Sequence, residues 1–178
     1  MKKLIFTIAI ILLVHYSYSQ NSISFSKVIQ ADSIGKTNLF IAVNDWFATN
    51  YNSAKDVIQM ADKEAGIITG VGTFSYSFGK LSYLCFEGKL QYTIKIEVKD
   101  NRYRVELTNF AHSNNPGNSA DCELGLITDA ELYTTKGINK GPQNKTWSDI
   151  KIKAEQFAAD IFTSIESKIN SMSEKSDW

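Results

Sequence analysis

Apolar residues recur along this chain with two spacings, and each change of spacing marks a new element. Between Ser22 and Ile29, residues Ile23, Phe25 and Val28 stand out from polar neighbours and predict a first strand. From Lys36 the period lengthens. Leu39, Phe40, Val43, Trp46 and Phe47 fall along one side of a helix. Thr37 is placed to cap that helix, because its hydroxyl can accept from a free amide of the first turn. A stripe this wide and aromatic should lie on a sheet.

Two hairpins follow. In the second arm of the first, Ile68, Gly70, Gly72, Phe74, Tyr76 and Phe78 share one parity. A turn Glu64-Ala65-Gly66, with Gly66 left-handed, sets Lys63 opposite Ile67. Met60 then faces Gly70 and Ile58 faces Gly72, large against small, on the side that Trp46 or Phe47 can press. A turn longer by one residue would invert Ile58 and Met60, so it is disfavoured. The glycines read as room for a helix and for sheet curvature. They do not form a phosphate loop, because Gly72 leads into Thr73-Phe74-Ser75-Tyr76, which is strand.

The second hairpin turns at Asp100-Asn101, both tolerant of the positive φ of a primed turn. Pairing Lys99 with Arg102 puts Val98 by Tyr103, Ile96 by Val105 and Ile94 by Leu107. On the other face Glu97 meets Arg104 and Lys95 meets Glu106, so sign and parity agree. One face of the sheet is therefore apolar and covered by helices, the other wetted. The same parity carried forward puts Phe110 and His112 on the wetted face beside Arg104 and Glu106. These four residues form the candidate interaction surface. Phe110 is its odd member, either covered by the following loop or anchoring a partner.

Residues 113–145 are rich in turn formers and read as a long loop, the kind that hosts function or moves. Within it Leu124, Leu126 and Ile127 predict a short strand, and Asp129–Tyr133 one helical turn. Ile150, Ala154, Phe157, Ala158, Ile161, Ile165, Ile169 and Met172 then form a long helical stripe, with Ser148 or Thr146 as its cap. The end, from Ser173, reads as loose.

Composition narrows the setting more than the chemistry. Lys2 and Lys3, an apolar run from Leu4 to Val14 and the small-x-small Ser17-Tyr18-Ser19 have the pattern of a signal peptide over residues 1–19. The alternative is an uncleaved N-terminal anchor, which is disfavoured because the run is too short for a stable membrane span. Residues 20–178 then form a single exported domain, periplasmic or otherwise at the cell envelope. Lys plus Arg number 19 and Asp plus Glu 19, which gives no electrostatic footprint for nucleic acid. Cys85 and Cys122 are either a disulfide, contributing about 3–4 kcal/mol, or two buried thiols. The region beyond residue 19 holds one histidine, His112, so no histidine metal cluster can form, and a hydrolase would have to use that residue. Asp121, Glu123, Asp129 and Glu131 lack the spacing of a calcium loop. No catalytic residue, metal or cofactor is expected.

Taken together, "NDWFATNY", "KDVIQMADKEAGIITGVG" and "LQYTIKIEVKDNRYRVELTNFAH" resemble a family of secreted bacterial proteins known only as a domain of unknown function with a TATA-box-binding-protein-like fold. The resemblance runs from Ser24 to about Met172. The elements read above give an α+β domain in β-α-β-β-β-β-α order with two helices on one sheet face. The resemblance implies that the antiparallel sheet is strongly curved and grips the long last helix. It supplies no catalytic residues. The reading it leaves is a non-enzymatic binding module for an envelope protein or a glycan. The alternative is a carrier of a small apolar ligand held between sheet and helix, with a hydrolase third.

Overall fold

Alternation in the second hairpin builds the centre of the fold. The structure, a computed structural model, describes residues 20–173. Its elements are β1 (Phe25–Gln30), α1 (Lys36–Asn50), a short α2 (Ala54–Val57), β2 (Ile58–Asp62), β3 (Ile67–Tyr76), β4 (Gly88–Lys99), β5 (Arg102–Asn114), β6 (Gly125–Leu126) and α3 (Lys140–Ser173). Short 3-10 turns lie at Leu81–Phe86 and Ala120–Cys122. The antiparallel sheet runs β1-β5-β4-β3-β2, with β6 joining β5 beyond the stretch that β1 pairs. The predicted leader, the loose end beyond Ser173 and the side chain of Met172 lie outside the described residues.

In the β4–β5 hairpin the pairs are those the alternation predicts: Lys99 with Arg102, Val98 with Tyr103, Ile96 with Val105, Ile94 with Leu107. All the apolar members are buried. Against them lie Leu39, Val43, Trp46 and Phe47 of α1, and Ile150, Ala154, Ala158, Ile165 and Ile169 of α3. Both helices occupy this one face. Trp46 Nε1 donates to Ser164 Oγ at 2.9 Å and so ties the two helices together.

The turn of this hairpin also starts α1. Only Asn101 takes a positive φ, 64°. Asp100 instead points its carboxylate at the helix, where Oδ1 accepts from the Lys36 amide at 2.7 Å. Gly35 precedes the helix and no side chain of its own caps it, so the expected Thr37 cap is corrected. A carboxylate serves the positive end of a helix better than a hydroxyl does. Asp100→Ala is expected to destabilise the fold by about 1 kcal/mol, whereas Thr37→Ala should change little; urea unfolding of both variants checks this.

The long helix begins earlier than its apolar stripe. Lys140 to Lys145 contain a glycine, a proline and several polar residues, and read as the end of the loop. Yet Pro142 sits in the first turn, where its missing N–H is no loss. Ser148, an expected cap, is mid-helix and its hydroxyl donates back to the Asn144 carbonyl. Thr146, the other, is wholly buried. Trp147 fixes this extra turn, its Nε1 donating to the Ala130 carbonyl at 2.9 Å. Residues 129–133 form no helical turn and run as irregular chain. The strand expected near Leu124–Ile127 is present as β6.

The first hairpin departs from expectation. Asp62 pairs with Ile67, so the turn spans four residues, with Gly66 left-handed at φ 74°. That is the inverted register, and a bulge at Gln59 half restores it. Ile58 pairs with Gly70 and faces inward, whereas Met60 pairs with Thr69 and is 44% exposed. Gly70 is pressed by Phe47, as expected, but Gly72 lies under the ring of its cross-strand partner Tyr92 rather than under Ile58.

Candidate functional site

A second bulge decides what the wetted face contains. Gln91 pairs with Ala111 but Thr93 pairs with Thr108, so β5 carries one residue more than β4 across this step. Asn109 supplies it, at φ 54°, and its amide is taken up by Ser22 Oγ at 3.1 Å. Beyond it the parity of β5 reverses. Phe110 and His112, expected beside Arg104 and Glu106, turn inward instead and are 0% and 1% exposed. Phe110 joins the aromatic interior against Tyr92 and Phe25. The four candidate residues are thus split between the two faces.

His112 is a staple. Its Nδ1 accepts from the Leu124 amide at 3.2 Å, and its Nε2 lies 2.9 Å from the Phe86 carbonyl, which it can reach only by donating. The ring is therefore neutral, with the proton on Nε2. Phe86 follows Cys85, and Leu124 is two residues past Cys122. These two cysteines form a disulfide with Cα atoms 5.7 Å apart. Histidine and disulfide together tie the Leu81–Phe86 turn to the chain that follows β5.

Burial pushes the His112 pKa below its ordinary 6.5, against smaller opposing effects of the Phe86 carbonyl and Glu123. The unfolded chain then binds a proton that the fold resists. The stabilisation is complete above about pH 6.5 and is lost as pH falls through the folded value. Urea midpoints measured from pH 7.5 down to 5 should show this loss, and His112→Gln should remove that part of the slope.

On the outer face cross-strand pairing lays the side chains out in rows. One row runs Asp62, Ile67, Glu97, Arg104, Val28, and the next Met60, Thr69, Lys95, Glu106, Ser26. At the turn end stand Lys99, Arg102 and Gln30. Toward the other end come Thr93 with Thr108, and Thr73 with Gln91. Every one of these residues is exposed or half-buried, so no described element covers the face. Glu97 is held by two cations: Lys95 at 3.0 Å and Arg104, whose Nε donates at 2.7 Å. Lys95 and Arg104 keep its carboxyl below the usual range. Lys99 and Arg102 have no ion pair among the described residues. With Val28, Glu97, Tyr103 and Arg104 they line a shallow depression of about 260 Å³. Sequence pairing located Glu97 and Arg104, but nothing in it singled out Lys99 or Arg102.

Between sheet and helices the space is filled by rings. Phe74 stacks on Phe157 at 4.1 Å, Tyr92 meets Phe157 at 4.9 Å, and the Tyr92 hydroxyl lies 2.8 Å from that of Tyr51. Tyr76 donates to Asp149 at 2.8 Å, and Lys153 bridges the same carboxylate. Burial first, and then the Asp149 carboxylate, push the Tyr76 pKa up. Asp121, Glu123, Asp129 and Glu131 are not brought together; among the described residues no group of acidic, histidine or cysteine side chains is arranged to hold a metal.

A family model described as a domain of unknown function (DUF4468) with TBP-like fold matches residues 25–113, from the start of β1 nearly to the end of β5. The chain belongs to the DUF4468 family. Two solved structures are similar to it. A DUF4468 family protein from Bacteroides ovatus ATCC 8483 is 21% identical, with a TM-score of 0.58, over 83% of this chain and 86% of that one. A TBP-like protein from Parabacteroides distasonis ATCC 8503 is 18% identical, with a TM-score of 0.56, over 82% of this chain and 93% of that one. Among curated proteins none matches. The likeness to solved structures establishes the fold of this DUF4468 chain and extends it past the family model toward α3. The TBP-like fold does not carry a function with it, because activity resides in sites rather than in architecture.

Proposed function

We propose that this DUF4468 domain is an exported, non-enzymatic binding module that meets an envelope partner, a protein or a glycan, through its uncovered sheet face. One observation carries the reading: Lys99 and Arg102, without an ion pair among the described residues, stand on a face that neither helix covers. The histidine and two of the interior tyrosines are committed elsewhere. Both His112 nitrogens are bonded internally, and the hydroxyls of Tyr92 and Tyr76 are engaged with Tyr51 and Asp149. Next to the disulfide, residues 123–139 add exposed Leu132, Tyr133 and Ile138 as a second contact region. Export is supported by the leader pattern and by the Cys85–Cys122 bond, which persists in oxidising compartments. The carrier reading is set aside because it needs an open interior and aromatic rings occupy that space.

The test is an Arg102→Glu, Arg104→Glu variant. Its binding to solubilised envelope from a producing bacterium should fall at least about tenfold, as expected when complementary charge is reversed. Its melting temperature should stay within a few degrees of wild type, since exposed ion pairs contribute little. Unchanged binding refutes the reading.

A further inference from the structure

We infer that the Lys99–Arg102–Arg104 end of the outer face binds the carboxylates of an acidic polysaccharide. The inference rests on the reading of that face as the binding surface, and it names the ligand class. Three features of the face point the same way.

The first is charge. Glu97, the only anion lining the depression, is already shared between Lys95 and Arg104. Lys99 and Arg102 are left over, so this end of the face is cationic although the whole chain has equal numbers of acidic and basic residues. Arg104 is held in place by Glu97, and Arg102 beside it presents a free guanidinium, a fork that fits a carboxylate in bidentate fashion.

The second is the remainder of the face. Away from the turn its rows are mainly hydroxyls and an amide, Thr69, Thr93, Thr108, Thr73 and Gln91, with Val71, Ala111 and Leu126 among them. Successive outward residues on a strand lie roughly 7 Å apart and neighbouring strands roughly 5 Å. Such an extended lattice of donors and acceptors suits a hydrated chain of hydroxyls better than a compact small molecule.

The third excludes the usual protein partner. Protein interfaces concentrate their energy in aromatic and other large anchors at a desolvated centre. None of the aromatic side chains points outward from these rows. The apolar members are dispersed: Val28 and Met60 are exposed at opposite edges, on β1 and β2, Leu126 is exposed on β6, and Ile67 and Val71 between them are half-buried.

The experiment titrates the full mature chain with four probes: polygalacturonate, neutral dextran, a single-stranded DNA oligonucleotide and phosphatidylglycerol vesicles. Polygalacturonate should bind and dextran should not. Raising sodium chloride from 0.05 to 0.5 M should weaken binding, because exposed charges are screened. Lys99→Ala, Arg102→Ala should weaken it at least tenfold with an unchanged melting temperature, and Lys55→Ala on α2 should leave it intact. The inference is overturned if polygalacturonate does not bind, if the double variant binds it as wild type does, or if DNA or vesicles bind as tightly. Should polygalacturonate fail while Arg102→Glu, Arg104→Glu still loses the envelope partner, only the ligand class is wrong. Should that variant lose nothing either, the reading of the face falls with it.

Discussion

Removing the Cys85–Cys122 bond, by a Cys85→Ser, Cys122→Ser double substitution, is expected to lower the unfolding free energy by about 4 kcal/mol, the chain-entropy value for the separation of 37 residues that the bond closes. The bond joins the Leu81–Phe86 turn to the Ala120–Cys122 turn, and His112 spans the same gap with two hydrogen bonds. Without the covalent tie, the cost of ordering that closed loop falls on His112 and on the Asn118 side chain, which donates to the Cys85 carbonyl. Each such hydrogen bond contributes only about 1 kcal/mol. Urea unfolding of the oxidised wild type against the double variant measures the difference. Coincident midpoints with equal slopes would mean that the unfolded chain gains no freedom from the cut.

Gly72→Val should cost about 2–4 kcal/mol, the overpacking penalty of a filled core together with one lost buried hydrogen bond. A Cβ at this position would lie 2.5 Å from the Tyr92 hydroxyl oxygen and 2.6 Å from Cζ. Tyr92 cannot swing away, because its ring is packed between Phe110 and Phe157 and its hydroxyl is bonded to Tyr51. Either β3 is pushed off β4 or that bond breaks. The better strand propensity of valine offsets at most about 1 kcal/mol. Gly141→Ala is the control: the added methyl meets nothing within 4 Å, and the change should leave the urea midpoint unchanged or slightly raised. A Gly72→Val midpoint equal to wild type would show that the Tyr92 ring does not lie over Gly72.

Local pattern was legible wherever both partners of an interaction lie close along the chain. The β4–β5 register needed only Lys95, Glu97, Arg104 and Glu106 to match in sign while Ile94, Ile96, Val105 and Leu107 matched in parity. The α1 stripe was visible for the same reason. The start of α3 was not, because Lys140–Trp147 carries no apolar period. That segment is helical since Trp147 reaches Ala130, a contact between separate elements. Of the candidate surface, Arg104 and Glu106 are where alternation puts them, and Phe110 and His112 are not.

By itself the sequence determined the main strands and the apolar stripes of the two long helices, which face of the central hairpin is apolar, and that two cysteines were present to be joined. Tertiary structure decided the places where the alternation slips. An extra residue at Asn109 or Gln59 leaves no signature in composition, since either neighbour could have carried it. At Asn109 the choice is settled by Ser22, which takes up the displaced amide, and by the room among Tyr92, Phe25 and Phe157 that admits Phe110. Strand parity is a local rule, but a bulge is placed by whichever distant groups satisfy the freed backbone and fill the reversed face. The face left to water was therefore set by contacts nearly ninety residues apart along the chain (Ser22 and Asn109, a separation of 87).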